Sequence, residues 1–122
     1  MHGSDGLDEV TTTGPTRAAL FANGGLRTMT LDPSEYGIPR PASGALAGGD
    51  AGENAAILRG VLDGRAGAPR DITVVNAAAA LWVVGAADDF AGGIELARQS
   101  IDSGAARQRL ERLVEATNAI AP

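Results

Sequence analysis

The sequence predicts an α+β chain: an N-terminal β-hairpin with neighbouring strand, followed by about four helices. Three observations carry that expectation. An Asn23-Gly24-Gly25 turn divides two runs of strand-forming residues, a stretch rich in proline and glycine covers 32–49, and from residue 50 onward apolar residues recur at helical spacing.

The elements follow in order. Val10-Thr11-Thr12-Thr13 is β-branched and reads as strand until Gly14-Pro15 breaks it. Strand resumes over 16–22 and again over 26–31, and the Asn-Gly pair between them tolerates the positive φ that a type I′ turn demands. In the second arm Arg27, Met29 and Leu31 lie on one face while Leu26, Thr28 and Thr30 lie on the other, as in a sheet covered on one side. The stretch 32–49 holds Pro33, Pro39 and Pro41 with four glycines and keeps no period; a loop this long packs on a neighbour or has a role, and here it is expected to drape over structure outside the chain.

A first helix opens with the capping-box pair Asp50 and Glu53, repeats Ala51, Ala55, Leu58 and Leu62 on one face, and ends by Gly64. A second, over 71–84, is apolar around nearly its whole circumference, as an element enclosed on every side would be. Asp88 or Asp89 caps a third, with a stripe of Phe90, Ile94, Ala97 and Ile101. Ser103-Gly104 separates a fourth, with Ala106, Leu110, Leu113 and Thr117 inward and Arg107, Glu111 and Arg112 outward.

Composition bounds the function classes. Of 122 residues, 24 are alanine and 17 glycine, and only 30 are large apolar residues, four of them aromatic. That is enough for one domain at most, and the core is thin for its length. The ten basic residues are all arginine, dispersed, and outweighed to a net charge of −5, so nucleic acid is not expected as a partner. There is no cysteine, which excludes disulfides, thiolate nucleophiles and cysteine zinc sites. The uncharged run 72–87 is shorter than the roughly 20 apolar residues of a bilayer span, and no cationic leader precedes an apolar stretch. The expected setting is therefore cytoplasmic, without membrane.

Polar chemistry concentrates in His2-Gly3-Ser4-Asp5-Gly6-Leu7-Asp8-Glu9. Magnesium favours hard oxygen ligands and is commonly held by one or two carboxylates plus substrate phosphates, so adjacent Asp8 and Glu9 suit a diphosphate-metal anchor. A solvated acidic terminus is the commoner outcome for such a run. His2 lacks an evident partner for general-base work. Asn76 and Trp82 are expected in the core, Asn76 with its amide satisfied. Gly48-Gly49-Asp50 and Ala91-Gly92-Gly93 match neither phosphate-loop pattern and read as a helix entry and a close packing site. Arg40, in the proline-rich loop, is the arginine least easily assigned to a solvated face.

The N-terminal run followed by Thr11-Thr12-Thr13-Gly14-Pro15-Thr16 resembles the anthranilate phosphoribosyltransferase family. Later landmarks agree in order: Leu31-Asp32-Pro33 with Tyr36-Gly37, Gly48-Gly49-Asp50 with Glu53-Asn54-Ala55, Val61-Leu62-Asp63-Gly64, Asn76-Ala77-Ala78-Ala79-Ala80-Leu81, and Ile101-Asp102-Ser103-Gly104-Ala105. The resemblance covers essentially the whole chain.

It implies an enzyme of tryptophan biosynthesis that transfers phosphoribosyl from phosphoribosyl diphosphate to the amino group of anthranilate, releasing diphosphate with Mg2+ assisting. It further implies the α/β domain shared by nucleoside phosphorylases and phosphoribosyltransferases, and homodimers at full length. Asp8 and Glu9 match the family's acidic pair that binds the second magnesium beside the diphosphate. The family's GTGGD diphosphate loop, the Asn-Ser-Thr segment after it, and its anthranilate-contacting arginine and histidine have no counterpart here. The expectation is that 1–122 is a C-terminal segment of the α/β domain, with the helical domain and the first part of the α/β domain outside it. No catalytic residue is then expected in these 122 residues, and no transferase activity from them alone. Two alternatives are a non-catalytic half that assembles with a separate chain, and another phosphoribosyltransferase or nucleoside phosphorylase of the same fold.

Overall fold

A computed structural model describes residues 1–119. Three antiparallel strands, β1 (His2–Gly3), β2 (Thr16–Ala22) and β3 (Gly25–Leu31), form a sheet in that order. A 3-10 turn at Pro33–Tyr36 precedes α1 (Ala51–Leu62), α2 (Ala68–Val83), α3 (Phe90–Asp102) and α4 (Ala105–Ala119). No helix among the described residues is long and apolar enough to cross a membrane.

The hairpin forms as its turn residues dictate. Asn23 and Gly24 both take positive φ, 53° and 76°, and Ala22 pairs with Gly25 across them. The strand alternation then places Leu31 in the core with Ala18 and Met29 packed against it, while the cross-strand pair Phe21 and Leu26 is 71% exposed on the opposite face.

The centre of the molecule lies between α2 and α3. Val74, Val75, Ala78 and Ala79 of α2 meet Phe90, Ile94, Ala97 and Ile101 of α3, the stripe expected from sequence. Gly93 brings the two backbones together: a β-carbon there would stand 2.5 Å from the carbonyl oxygen of Ala78. Tyr36 packs edge-on to Phe90, with ring centroids 5.1 Å apart, and Ile38 is buried beside them in the same core. Half-buried Trp82 also packs on this core, as expected.

Several expectations are corrected. Val10 to Thr13 is an irregular segment, buried through Thr12 with Thr13 exposed, rather than a strand, because threonine hydroxyls take the backbone donors that a sheet would have used: Thr11 N donates to Thr16 Oγ1 and Thr13 N to Thr11 Oγ1, both at 3.0 Å. The loop 32–49 is not featureless. Its first part is capped by Asp32, which accepts from Ser34 N, and buries Pro33 and Ile38 within the chain itself.

Among the helices, α1 has its expected capping box, Asp50 with Glu53. Its inward face is turned, however: Gly60 and Val61 are buried while Leu58 is 48% exposed. Helix α2 begins three residues early, with Pro69 pre-set for a first turn, and it is covered on one side only; Thr73, Ala80 and Val83 are exposed. Asp89, not Asp88, caps α3 by accepting from Gly92 N. On α4, Ala106 and Leu110 are half-buried, but Leu113 and Thr117 are exposed, because that helix packs only through its first half.

Candidate metal-anchoring site

The N-terminal residues fold into a closed turn held by one carboxylate. Gly3 N donates to Leu7 O (2.8 Å), Gly6 N to Gly3 O (3.0 Å) and Ser4 N to Pro15 O (2.9 Å). Inside that turn Asp5 Oδ2 accepts from the hydroxyls of Thr11 (2.5 Å) and Thr13 (2.6 Å), and Asp5 Oδ1 accepts from Leu7 N (3.2 Å). Glycine is needed at position 3 for this approach. A β-carbon there would lie 2.6 Å from Asp5 Oδ1 and 3.0 Å from Thr11 Cγ2.

The other side of the turn is fastened to α2. Asn76 Oδ1 accepts from Val10 N (2.9 Å), and Asn76 Nδ2 donates to Val10 O (2.8 Å) and to Ile72 O (3.0 Å). The amide is thus satisfied as expected, and it supplies both backbone partners of Val10, a residue with 0% exposure. Asp8 and Glu9 lie between these two attachments. Both are exposed, and neither carboxylate takes part in a hydrogen bond or ion pair among the described residues. Glu9 stands at a largely apolar cleft of about 370 Å³ between the N-terminal turn, α1 and α2, lined also by Leu7, Leu46, Leu58 and Ile72.

The expected site residues therefore part company. Asp8 and Glu9 are adjacent on a hydrogen-bonded turn, and of the two only Glu9 lines the cleft against α1 and α2. His2 is exposed on β1 and lines a different cavity on the sheet, with Arg17, Thr28 and Thr30. Arg40 is engaged by Asp32 at 2.7 Å. Gly48-Gly49-Asp50 is a helix entry, clamped where Gly49 N donates to Asn54 Oδ1 and Asn54 Nδ2 donates to Gly49 O.

The donor set can be weighed against magnesium. No group of three or more His, Cys, Asp or Glu that could hold a metal occurs among the described residues. Two adjacent, exposed, unengaged carboxylates are what a magnesium ion needs when waters and substrate phosphates complete its shell. Asp8 and Glu9 fit that partial role and not an all-protein cage. The organising part of Asp5 was missed from sequence; its one signal is a carboxylate followed six and eight positions later by hydroxyl residues.

The hydroxyls of Thr11 and Thr13 hold the Asp5 carboxyl below its ordinary value of 3.8. A depressed folded-state pKa means that the stabilisation is present above the unfolded value and is lost as pH falls through the folded one. The Asp5 carboxyl carbon, followed by NMR in a pH series, should hence titrate below the ordinary carboxylate value. A carboxyl-carbon titration of Asp5 with a midpoint at or above the ordinary value would contradict the network.

The family model described as the glycosyl transferase family, a/b domain, matches residues 1–107. Anthranilate phosphoribosyltransferase of Azorhizobium caulinodans is 49% identical over 122 residues, covering 100% of this chain and 36% of its own length. That of Methylorubrum extorquens is 54% identical over 119 residues, covering 98% and 35%. The crystal structure of anthranilate phosphoribosyltransferase from Thermus thermophilus matches with a TM-score of 0.80 at 35% identity, over 93% of this chain and 33% of that one. The Saccharomyces cerevisiae enzyme in complex with 4-fluoroanthranilate matches with a TM-score of 0.86 at 30% identity, over 98% and 35%. The chain spans about a third of the length of the curated relatives it matches.

Proposed function

The chain belongs to the glycosyl transferase family through its a/b domain, and on that premise we propose that it serves anthranilate phosphoribosyl transfer, as the C-terminal segment (1–122) of the α/β domain of a cytoplasmic, homodimeric enzyme of tryptophan biosynthesis. The observation that carries this reading is the identity of about half, over nearly the whole chain, to relatives named for that activity.

In the reaction, the amino nitrogen of anthranilate bonds to the anomeric carbon of phosphoribosyl diphosphate while the bond from that carbon to the diphosphate oxygen breaks, and the nitrogen gives up one proton to solvent. Negative charge gathers on the departing diphosphate. Mg2+, when bound, offsets that charge and so lowers the barrier. Asp8 and Glu9 would hold the ion from the protein side. Their exposure would leave room for diphosphate oxygens and water beside the ion, and their neighbours Leu7 and Val10 are tied by hydrogen bonds to Asp5 and Asn76. The rest of the substrate pocket, including the phosphate-cradling glycine loop, is assigned to parts of the enzyme outside these residues.

The test is a graft. Residues 1–122, put in place of the matching third of the Azorhizobium caulinodans relative, should yield a protein that forms phosphoribosylanthranilate from anthranilate, phosphoribosyl diphosphate and magnesium. The 122 residues by themselves should give none. A folded but inactive graft would count against the assignment, and turnover by the isolated chain would overturn the division of labour.

A further inference from the structure

We propose that Asp5 is a positioning residue, which with Thr11 and Thr13 holds Asp8 and Glu9 in the orientation that receives a divalent cation. The proposal rests on the reading of Asp8 and Glu9 as a magnesium anchor and adds residues that the reading does not need.

The geometry is that of a bracket. Asp5 binds the backbone of Leu7, immediately before the acidic pair, and the side chains of Thr11 and Thr13, after it. One carboxylate thus joins the two ends of the segment that carries Asp8 and Glu9. The far end is then fixed to α2 by Asn76 through Val10. Both Asp5 oxygens are engaged by these three donors, which assigns the carboxylate to ordering the turn that carries the pair. Gly3 is the other half of the device, since any side chain there would occupy the space that the Asp5 carboxylate fills.

A metal site made of only two exposed carboxylates depends on such support. Unsupported, the pair would have to lose its conformational freedom at the moment of binding, and supporting partners commonly change metal affinity by about 10- to 100-fold. The structure places that ordering in the fold beforehand.

The experiment uses the 122-residue chain with Mn2+ alone as probe, followed by paramagnetic broadening of backbone amide signals at Asp8 and Glu9, alongside thermal unfolding of each variant. The paired substitution Asp8→Asn, Glu9→Gln should abolish site-specific broadening. Asp5→Asn should weaken binding about tenfold, the lower end of that range. Thr13→Val removes one donor to Asp5 without altering charge, and a weakening of about threefold, from the lost support alone, is expected. It also keeps the question decidable if Asp5→Asn does not fold. Wild-type affinity in both folded Asp5→Asn and Thr13→Val, with binding lost in the paired variant, would overturn the positioning role and leave the metal reading standing. A weakening in Asp5→Asn with none in Thr13→Val would also overturn it, since through-space charge would then be the cause. Wild-type binding by the paired variant would end both.

Discussion

Gly93→Val should unfold the chain or cost it well over ~3 kcal/mol, and even Gly93→Ala should cost about 2 kcal/mol, measured by denaturant unfolding. The reason lies in the crossing of α2 and α3. A β-carbon on Gly93 would lie 2.5 Å from the Ala78 carbonyl oxygen and 3.0 Å from its carbonyl carbon and Cα. These are backbone atoms of a helix, so no rotamer change relieves the overlap. The two helices must separate, and the packing of Val75, Ala79 and Ile94 in the same core would loosen with them. Gly92 supplies the internal control. A β-carbon there would be 3.4 Å from Asp89 Oδ1 and 3.8 Å from Ala87 Cβ, ordinary contact distances. Gly92→Ala should then be neutral, or stabilising by up to about 1 kcal/mol through helix propensity. A common effect for the two neighbours would refute the close approach.

Asn76→Leu should destabilise the chain by about 3 kcal/mol. The substitution keeps the branched heavy-atom shape but strips the backbone N–H and C=O of Val10 of their partners, in a residue with no exposure to water. Each buried group so orphaned costs about 1 to 3 kcal/mol, more than the transfer of leucine into the same space returns. The loss should be local before it is global. Hydrogen exchange at Val10 and Thr11 should accelerate at denaturant concentrations where α2 and α3 remain protected. A variant with wild-type stability would mean that the N-terminal turn is not held to α2 in this way.

How much of this could be read from sequence depends on the range of the interaction. The hairpin was legible because Asn23 and Gly24 declare a backbone conformation in two adjacent residues. The stripe of α3 was legible because Phe90, Ile94, Ala97 and Ile101 repeat within one element. The face of α1 was not, since Leu58 satisfies the helical spacing as well as Val61 does and only the position of its neighbours chooses between them. Likewise Leu113 of α4 has the right period and no surface to cover it; it is 59% exposed.

Thr11 to Thr13 were misread for a related reason. β-branched residues favour strand by propensity, yet here the hydroxyls of Thr11 and Thr16 and the amide of Asn76, 66 positions away from Val10, satisfy the backbone instead. At the candidate site the acidic pair itself was visible. What supports it was not, because the importance of Asp5 lies in three hydrogen bonds that no periodicity announces.

The proposed role of Asp8 and Glu9 in diphosphate departure is tested most directly by the magnesium dependence of diphosphate release, measured in the graft with and without the paired substitution Asp8→Asn, Glu9→Gln. The expected result is a fall in kcat of about 10²- to 10³-fold, with saturation moved to higher magnesium and the unfolding transition unchanged. Equal rates and equal magnesium requirement in the folded variant would contradict it.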